Sequence, residues 1–348
     1  MAIRVVQWTT GNVGRQSVSA IVANPDLELV GCYAWSDDKV GRDVGDLCGI
    51  DALGVKATND IDALLALEPD CVVYNPMWHA TDELVRILEA GINVVSTAAF
   101  INGDRLGPER DRLVDAAERG GSSLFGSGIS PGFVELFALT AAGICDRVDC
   151  IRVNEEADST AYDSPDTEIL AGFGRPIDDP DLPQMTREGT AVFGEAVAMM
   201  ADALAVELDA ITCEAEYAQT TEDLDLGSWT IPAGCVAGLA ASWQGRVGDR
   251  IVVELNVRWR KGQTLDPDWQ VKDGHVIEIE GRPMVRTTLE FLPPPDFEAE
   301  TMEDFMVLGH IITAMPAVNA IAPVVGAPPG IITYADLPFP MPRGMVSV

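Results

Sequence analysis

Over the first 130 positions, short runs of β-branched residues alternate with stretches whose apolar residues recur every three or four positions. The runs at 4–8, 27–35, 71–74, 93–96 and 123–125 predict strands, and the stretches at 14–23, 61–67, 82–90 and 109–119 predict helices between them. Pro108 stands where the last of these helices begins, a first-turn position that needs no amide hydrogen. Strands and helices in strict alternation, with short connections, predict a parallel sheet covered by helices.

From about residue 145 the pattern changes to longer segments alternating apolar and polar positions, at 150–154, 207–217, 250–259, 275–280 and 283–291. These predict antiparallel strands with one face in water. One helix, rich in Ala and Met, is expected at 186–205. Pro293, Pro294 and Pro295 mark a break, 302–322 predicts a helix disturbed by Pro316, and the Pro- and Gly-rich stretch from Ala327 predicts irregular backbone.

A length of 348 residues allows two domains with cores of their own. Charge narrows the partners: 23 Lys and Arg stand against 55 Asp and Glu, a net −32, so nucleic acid and anionic membrane surfaces are expected to be repelled. A local basic pocket for one phosphorylated cofactor remains compatible with that balance. The seven cysteines contain no C-x-x-C pair, which fits core residues in a reducing compartment. No run of about 18 uninterrupted apolar residues occurs, and the expectation is a soluble, cytoplasmic protein.

The most informative segment is Val5-Val6-Gln7-Trp8-Thr9-Thr10-Gly11-Asn12-Val13-Gly14, where a strand meets a helix at a glycine turn. There backbone amides and a helix N-terminus suit a pyrophosphate, although Thr9 stands where the G-x-G-x-x-G fingerprint has its first glycine. The second strand runs into Ala34-Trp35-Ser36, followed by Asp37, Asp38, Lys39 and Arg42. A hydroxyl with two nearby cations suits a 2′-phosphate, so NADP is preferred and NAD is the alternative through Asp37 or Asp38.

Asn75-Pro76-Met77-Trp78 and Ser96-Thr97-Ala98-Ala99-Phe100 fall at carboxyl ends of strands, where open α/β sheets bind ligands. His79 beside this edge is either a proton relay or a helix-entry residue. Gly126 to Phe133 forms a tight loop containing Ser130, with Glu135 in the helix that follows. Farther on, Glu155 and Tyr162 are candidate proton-transfer groups in an acidic stretch from Asn154 to Tyr162. No metal-ligand spacing, nucleophile elbow or P-loop is present in the sequence.

The fold class expected is α/β: an N-terminal Rossmann-type doubly wound parallel sheet with a second α+β domain built on a largely antiparallel sheet. Its parts are residues 1–145, binding a dinucleotide; 146–300, for substrate and dimerisation; and 301–348, a helix and tail packing back on the first.

Gly11-Asn12-Val13-Gly14-Arg15, the run from Val40 to Gly49 and the Gly126 to Phe133 loop resemble the N-terminal half of the dihydrodipicolinate reductase superfamily. Gly172-Phe173-Gly174, Trp259 with Pro267-Asp268-Trp269, and the run from Ala314 to Pro323 with Pro329-Gly330-Ile331 are similar to its 2,4-diaminopentanoate dehydrogenase and native amine dehydrogenase branch. The resemblance implies NAD(P)H-dependent reductive amination of a small ketone or aldehyde by ammonia, in a homodimer whose second domain caps the active site. With it, Thr97, Ala98, Ser130 and Asn319 join the cofactor set, Phe100, Phe133, Phe173 and Trp78 become candidate substrate contacts, and Glu135, Glu155 and Tyr162 the candidate catalytic residues.

Two departures matter. The stretch from Asn154 to Tyr162 has no histidine or lysine, unlike the reductase proper, so that particular activity is not expected. Amine dehydrogenases of the branch carry a catalytic glutamate near the positions of Ala99 and Phe100, and this chain has none there. Either another acid such as Glu135, Glu155 or Asp104 takes its place, or the chemistry differs, the alternatives being an NADP-dependent imine or carbonyl reductase without ammonia chemistry and a non-catalytic NADP-binding sensor.

Overall fold

In a computed structural model, which describes residues 2–97, 100–162 and 164–343, the alternating first third forms a parallel sheet. Strand β1 (Ile3–Trp8) leads through helix α1 (Asn12–Ala23) to β2 (Leu27–Tyr33), and α2 (Val44–Cys48), β3 (Ala57–Thr58) and α3 (Ile61–Leu65) lead to β4 (Cys71–Tyr74). Then follow α4 (Thr81–Glu89), β5 (Asn93–Ser96), α5 (Pro108–Gly120), β6 (Ser123–Gly126) and α6 (Phe133–Ala142). Burial explains the near-continuous apolar strands: Val5, Val6, Val72, Val73, Val94 and Val95 are almost inaccessible, as strands covered on both faces must be.

The second part runs β7 (Arg147–Asp158), α7 (Pro165–Ala171), α8 (Leu182–Gly189), α9 (Ala191–Ala203) and β8 (Ala210–Thr220). It continues through β9 (Leu224–Asp225), β10 (Thr230–Ile231), β11 (Val236–Val247), β12 (Arg250–Arg260), β13 (Leu265–Asp266), β14 (Gly274–Arg282) and β15 (Val285–Leu289). Its seven-stranded sheet has the order β13-β8-β11-β12-β7-β14-β15, antiparallel except where β12 meets β7. The chain ends in α10 (Met302–Val325) and β16 (Gly330–Ile332), which pairs with β6. That completes the parallel sheet, β16-β6-β5-β4-β1-β2-β3. The expected fold class holds, and two compact units result, one of residues 1–133 with 307–348, the other of 134–306.

Four local expectations are corrected. The single helix at 186–205 is two, α8 and α9, with Thr190 between them; its hydroxyl accepts from Trp243 Nε1 at 3.0 Å. At Gly189 a Cβ would lie 2.6 Å from the Ala171 Cα, so glycine lets α8 approach α7. Strand β11 escaped the pattern because small residues, among them Gly238, Ala240 and Ser242, interrupt its apolar alternation. The Pro-rich end contains a strand, β16. Finally, α10 continues through Pro316 and Pro323, with Ala314, Ala317, Val318, Ala320, Ile321 and Val324 buried. Among the described residues this is the one helix long and apolar enough to cross a membrane, a test that buried core helices also pass.

Candidate active site

Beyond Trp8 the chain turns through Thr9, Thr10 and Gly11 into α1. Thr9 adopts φ +73°, so it takes the left-handed conformation that the fingerprint assigns to glycine. For a β-branched residue this costs about 1–3 kcal/mol and persists only if the surroundings impose it. They do: the Thr9 amide donates to the Tyr33 carbonyl at 3.0 Å, and the buried Gln7 side-chain amide donates to the Thr9 carbonyl at 2.9 Å. The same Gln7 nitrogen donates to Asn75 Oδ1 at 2.7 Å, and Asn75 Nδ2 to Thr97 Oγ1 at 2.8 Å. One polar chain thus ties together the carboxyl ends of β1, β4 and β5. Gln7 was missed as a functional residue; its signal was a polar side chain inside an apolar parallel strand.

Glycine is required again at Gly14, where a Cβ would sit 2.5 Å from the Thr9 carbonyl oxygen. At Gly11 a Cβ would meet nothing within 4 Å, which leaves the turn open to a ligand. In front of it lies a cleft of about 380 Å³ lined by Thr9, Thr10, Gly11, Ala34, Trp35, Ser36, Lys39, Asn75, Pro76, Met77 and Trp78. Eight candidate residues meet there: Thr9, Thr10, Gly11, Ser36, Lys39, Asn75, Pro76 and Trp78. Asn12 and Val13 continue into the first turn of α1, and Thr97 joins through Asn75. Ala98 lies outside the described residues.

Charge around the turn is unusual for so acidic a chain. Lys39 Nζ lies 3.4 Å from both the Thr10 carbonyl oxygen and Thr10 Oγ1, which holds its charge beside the turn. Among the described residues, neither Arg15 nor Arg42 forms an ion pair. The Ser36 hydroxyl donates to Asp38. An open glycine turn, a helix N-terminus and uncompensated cations fit a dinucleotide pyrophosphate.

The loop after β4 is anchored from below. Tyr74 Oη accepts from the Ala80 amide at 3.0 Å and donates to Glu83 Oε2 at 3.2 Å, while Trp8 Nε1 donates to the same oxygen at 3.0 Å. Burial pushes the Tyr74 hydroxyl well above its ordinary pKa, so it stays a neutral donor. Trp78 at the loop tip is half exposed, whereas His79 faces the edge of Phe100 at 6.3 Å. Phe100 itself is buried in the core of the first unit. In the loop before α6, the Ser127 hydroxyl bonds Tyr334 Oη at 2.8 Å, and Ser130 and Phe133 are partly exposed. Asn319 is partly exposed on α10.

In the second unit, Glu135 is fully buried on α6, Phe173 is buried after α7, and Tyr162 is exposed. Glu155 is held by two side chains of neighbouring strands. Its Oε1 accepts from Trp259 Nε1 at 2.7 Å, and Oε2 lies 3.2 Å from Nε2 of the buried His275. Burial works to raise the neighbouring Asp158 carboxyl, but hydrogen bonds from Thr160 and Arg260 outweigh it and hold the group below its usual range. The loop with Tyr162 is pinned by the fully buried Lys261, whose ammonium donates to the carbonyls of Ser159 and Tyr162 and pairs with Glu168 at 2.6 Å.

All seven cysteines are free, and burial pushes the Cys32 thiol up to about 12 and those of Cys48, Cys150 and Cys213 to about 11. None of those four is a thiolate nucleophile at neutral pH. Among the described residues no group of His, Cys, Asp and Glu could hold a metal ion.

The doubly wound sheet carries at its carboxyl edge a cleft whose glycine turn and helix N-terminus fit a dinucleotide. Over residues 133–347 the chain matches the family described as 2,4-diaminopentanoate dehydrogenase C-terminal domain, and over 4–103 that described as dihydrodipicolinate reductase, N-terminus. It is 34% identical to an amine dehydrogenase of Streptomyces virginiae, across 97% of this chain and 96% of that protein. A 2,4-diaminopentanoate dehydrogenase of Acetoanaerobium sticklandii is 29% identical across 75% of this chain and 70% of its own. The solved amine dehydrogenase of Mycobacterium smegmatis shares the fold, with a TM-score of 0.75 at 20% identity, covering 99% of this chain and 98% of that one. The chain belongs to the 2,4-diaminopentanoate dehydrogenase family and is an oxidoreductase of the amine dehydrogenase kind, as its sequence motifs implied.

Proposed function

We propose that the protein catalyses reductive amination of a small, mostly apolar ketone or aldehyde with ammonia, with NADP preferred over NAD. The observation that carries this is the cleft that gathers Thr9, Thr10, Gly11, Ser36, Lys39, Asn75, Pro76 and Trp78 at one sheet edge, in a chain similar along its length to an amine dehydrogenase. When bound, the dinucleotide supplies the hydride. The chain's part is to bind it and to manage protons. Gly11 and α1 receive the pyrophosphate, Lys39 and Arg15 balance its charge, and Ser36 with Arg42 receive a 2′-phosphate. The Gln7–Asn75–Thr97 chain fixes the polar groups of the edge without rearrangement during reaction.

Glu155 is our choice among the candidate acids to take up and return protons as ammonia adds and water leaves. Its carboxylate is oriented by Trp259 and lies 3.2 Å from Nε2 of His275. A homodimer in the cytoplasm belongs to the same proposal, and the seven free cysteines support a reducing setting. The lack of any carboxylate at Ala99 or Phe100 favours a second reading, an imine or carbonyl reductase indifferent to ammonia.

The test is NADPH oxidation with a panel of small ketones and aldehydes, with and without ammonium, repeated with NADH and with Glu155→Gln. Oxidation that needs ammonium and yields amine is expected, with at least about a hundredfold loss in kcat for Glu155→Gln, as for loss of a general acid–base. Turnover unaffected by ammonium would establish the second reading instead.

A further inference from the structure

The cleft carries one feature that phosphate binding does not use. Trp35, two residues beyond β2, is 74% exposed and forms part of the wall beside Ser36 and Lys39. It stands on firm ground: Ala34 before it is buried, and Tyr33 stacks on Trp8 with ring centroids 4.3 Å apart. A rigidly mounted indole left in water is a large apolar surface without a partner.

Topology says what belongs against it. Strands β2 and β4 lie on either side of β1, so the loops bearing Trp35 and Trp78 flank the Gly11 turn at roughly 10 Å from each other. In a doubly wound sheet the group at the end of the second strand reads the ribose of the adenosine half, while the pyrophosphate sits on the first helix. The base attached to that ribose then falls one residue away from Ser36. We propose that Trp35 is the stacking platform for the adenine ring of the dinucleotide, a role that rests on the dinucleotide reading of the Gly11 turn. Stacking needs only a π-face, so Trp35 sets affinity for both NADP and NAD, while Ser36 and Arg42 distinguish between them.

The experiment measures binding of NADPH, NADH, adenosine 2′,5′-bisphosphate and nicotinamide mononucleotide to the full chain, as wild type, Trp35→Ala and Trp35→Phe. Trp35→Ala is expected to weaken the three adenine-containing ligands by about fivefold to a hundredfold, the range for base–aromatic stacking. Trp35→Phe should restore most of the loss, and nicotinamide mononucleotide should bind all three proteins alike. Adenosine 2′,5′-bisphosphate should also quench tryptophan emission in wild type more than in Trp35→Phe. Wild-type binding with no difference in Trp35→Ala would overturn the platform while leaving the dinucleotide reading intact. Failure of wild type to bind NADPH or NADH would overturn both. Emission that depends on protein concentration, and not on nucleotide, would assign the indole to contact with a second copy and overturn the platform.

Discussion

The two seven-stranded sheets handle positive charge in opposite ways. In the second unit several cations are tied to carboxylates across neighbouring strands, Arg152 to Glu254 and Glu280, Arg258 to Glu156, and Arg286 to Glu278, and Lys261 just beyond β12 is tied to Glu168 on α7. At the carboxyl edge of the parallel sheet, Arg15 and Arg42 have no such partner among the described residues, and Lys39 contacts only oxygens of the turn itself. Arg187, Arg246 and Arg250 of the second unit also form no ion pair among the described residues, so what sets Arg15 and Lys39 apart is their place beside the Gly11 turn. Paired charges hold a fold together, whereas unpaired ones around a helix N-terminus await an anion.

The sharpest way to break this contrast is Lys261→Ala. The lysine is fully buried, its Glu168 partner nearly so, and three oxygens lose their donor together. A loss of about 3–5 kcal/mol in unfolding free energy is expected, because the buried carboxylate of Glu168 loses its cation. Urea denaturation measures it, and Lys261→Met combined with Glu168→Leu should recover most of the loss. NADPH affinity of the folded fraction should stay unchanged. A stable Lys261→Ala protein would show that water replaces the ammonium and that the pair is not structural.

The opposite signature is expected at the parallel sheet. Replacing Ser36 and Arg42 by alanine removes a hydroxyl and an unpaired guanidinium from an exposed loop, so stability should hardly move. Affinity for NADP should fall about tenfold or more, the worth of a charge-assisted hydrogen bond, and that for NAD far less. Titration calorimetry with both cofactors decides. Equal losses for the two would assign Ser36 and its Asp38 neighbour to the ribose diol instead of a 2′-phosphate.

The same contrast governed what the sequence revealed. Around Gly11 the chemistry is local: a strand, a turn and a helix follow one another within a dozen residues, and the spacing of Gly11 and Gly14 is visible in the chain. The parallel strands were equally plain, since burial on both faces leaves unbroken apolar runs such as Cys71–Tyr74. In the second unit the informative contacts are distant. Glu155 meets Trp259 and His275 only because β7 lies between β12 and β14, and no local pattern marks that meeting. Lys261 was unremarked for the same reason, its partner lying on α7. Even in the first unit, Gln7 meets its partner Asn75 only in the fold, because Asn75 follows β4 in the neighbouring position of the sheet.

The smallest expected effect lies at the turn and concerns strain instead of charge. Thr9→Gly removes the Cβ from a left-handed residue, which relieves about 1–3 kcal/mol, while the added freedom of glycine in the unfolded chain takes back about 0.4–1 kcal/mol. A net gain of roughly 1 kcal/mol is expected, read as a higher urea midpoint at unchanged slope. The hydrogen bonds from the Thr9 amide to Tyr33 and from Gln7 to the Thr9 carbonyl use backbone atoms only, so they survive the change and should keep the turn in place. NADPH affinity should then be retained along with the gained stability. If stability instead falls, the threonine methyl and hydroxyl contribute packing that outweighs the strain, and the turn is held by its side chain as well as by its backbone.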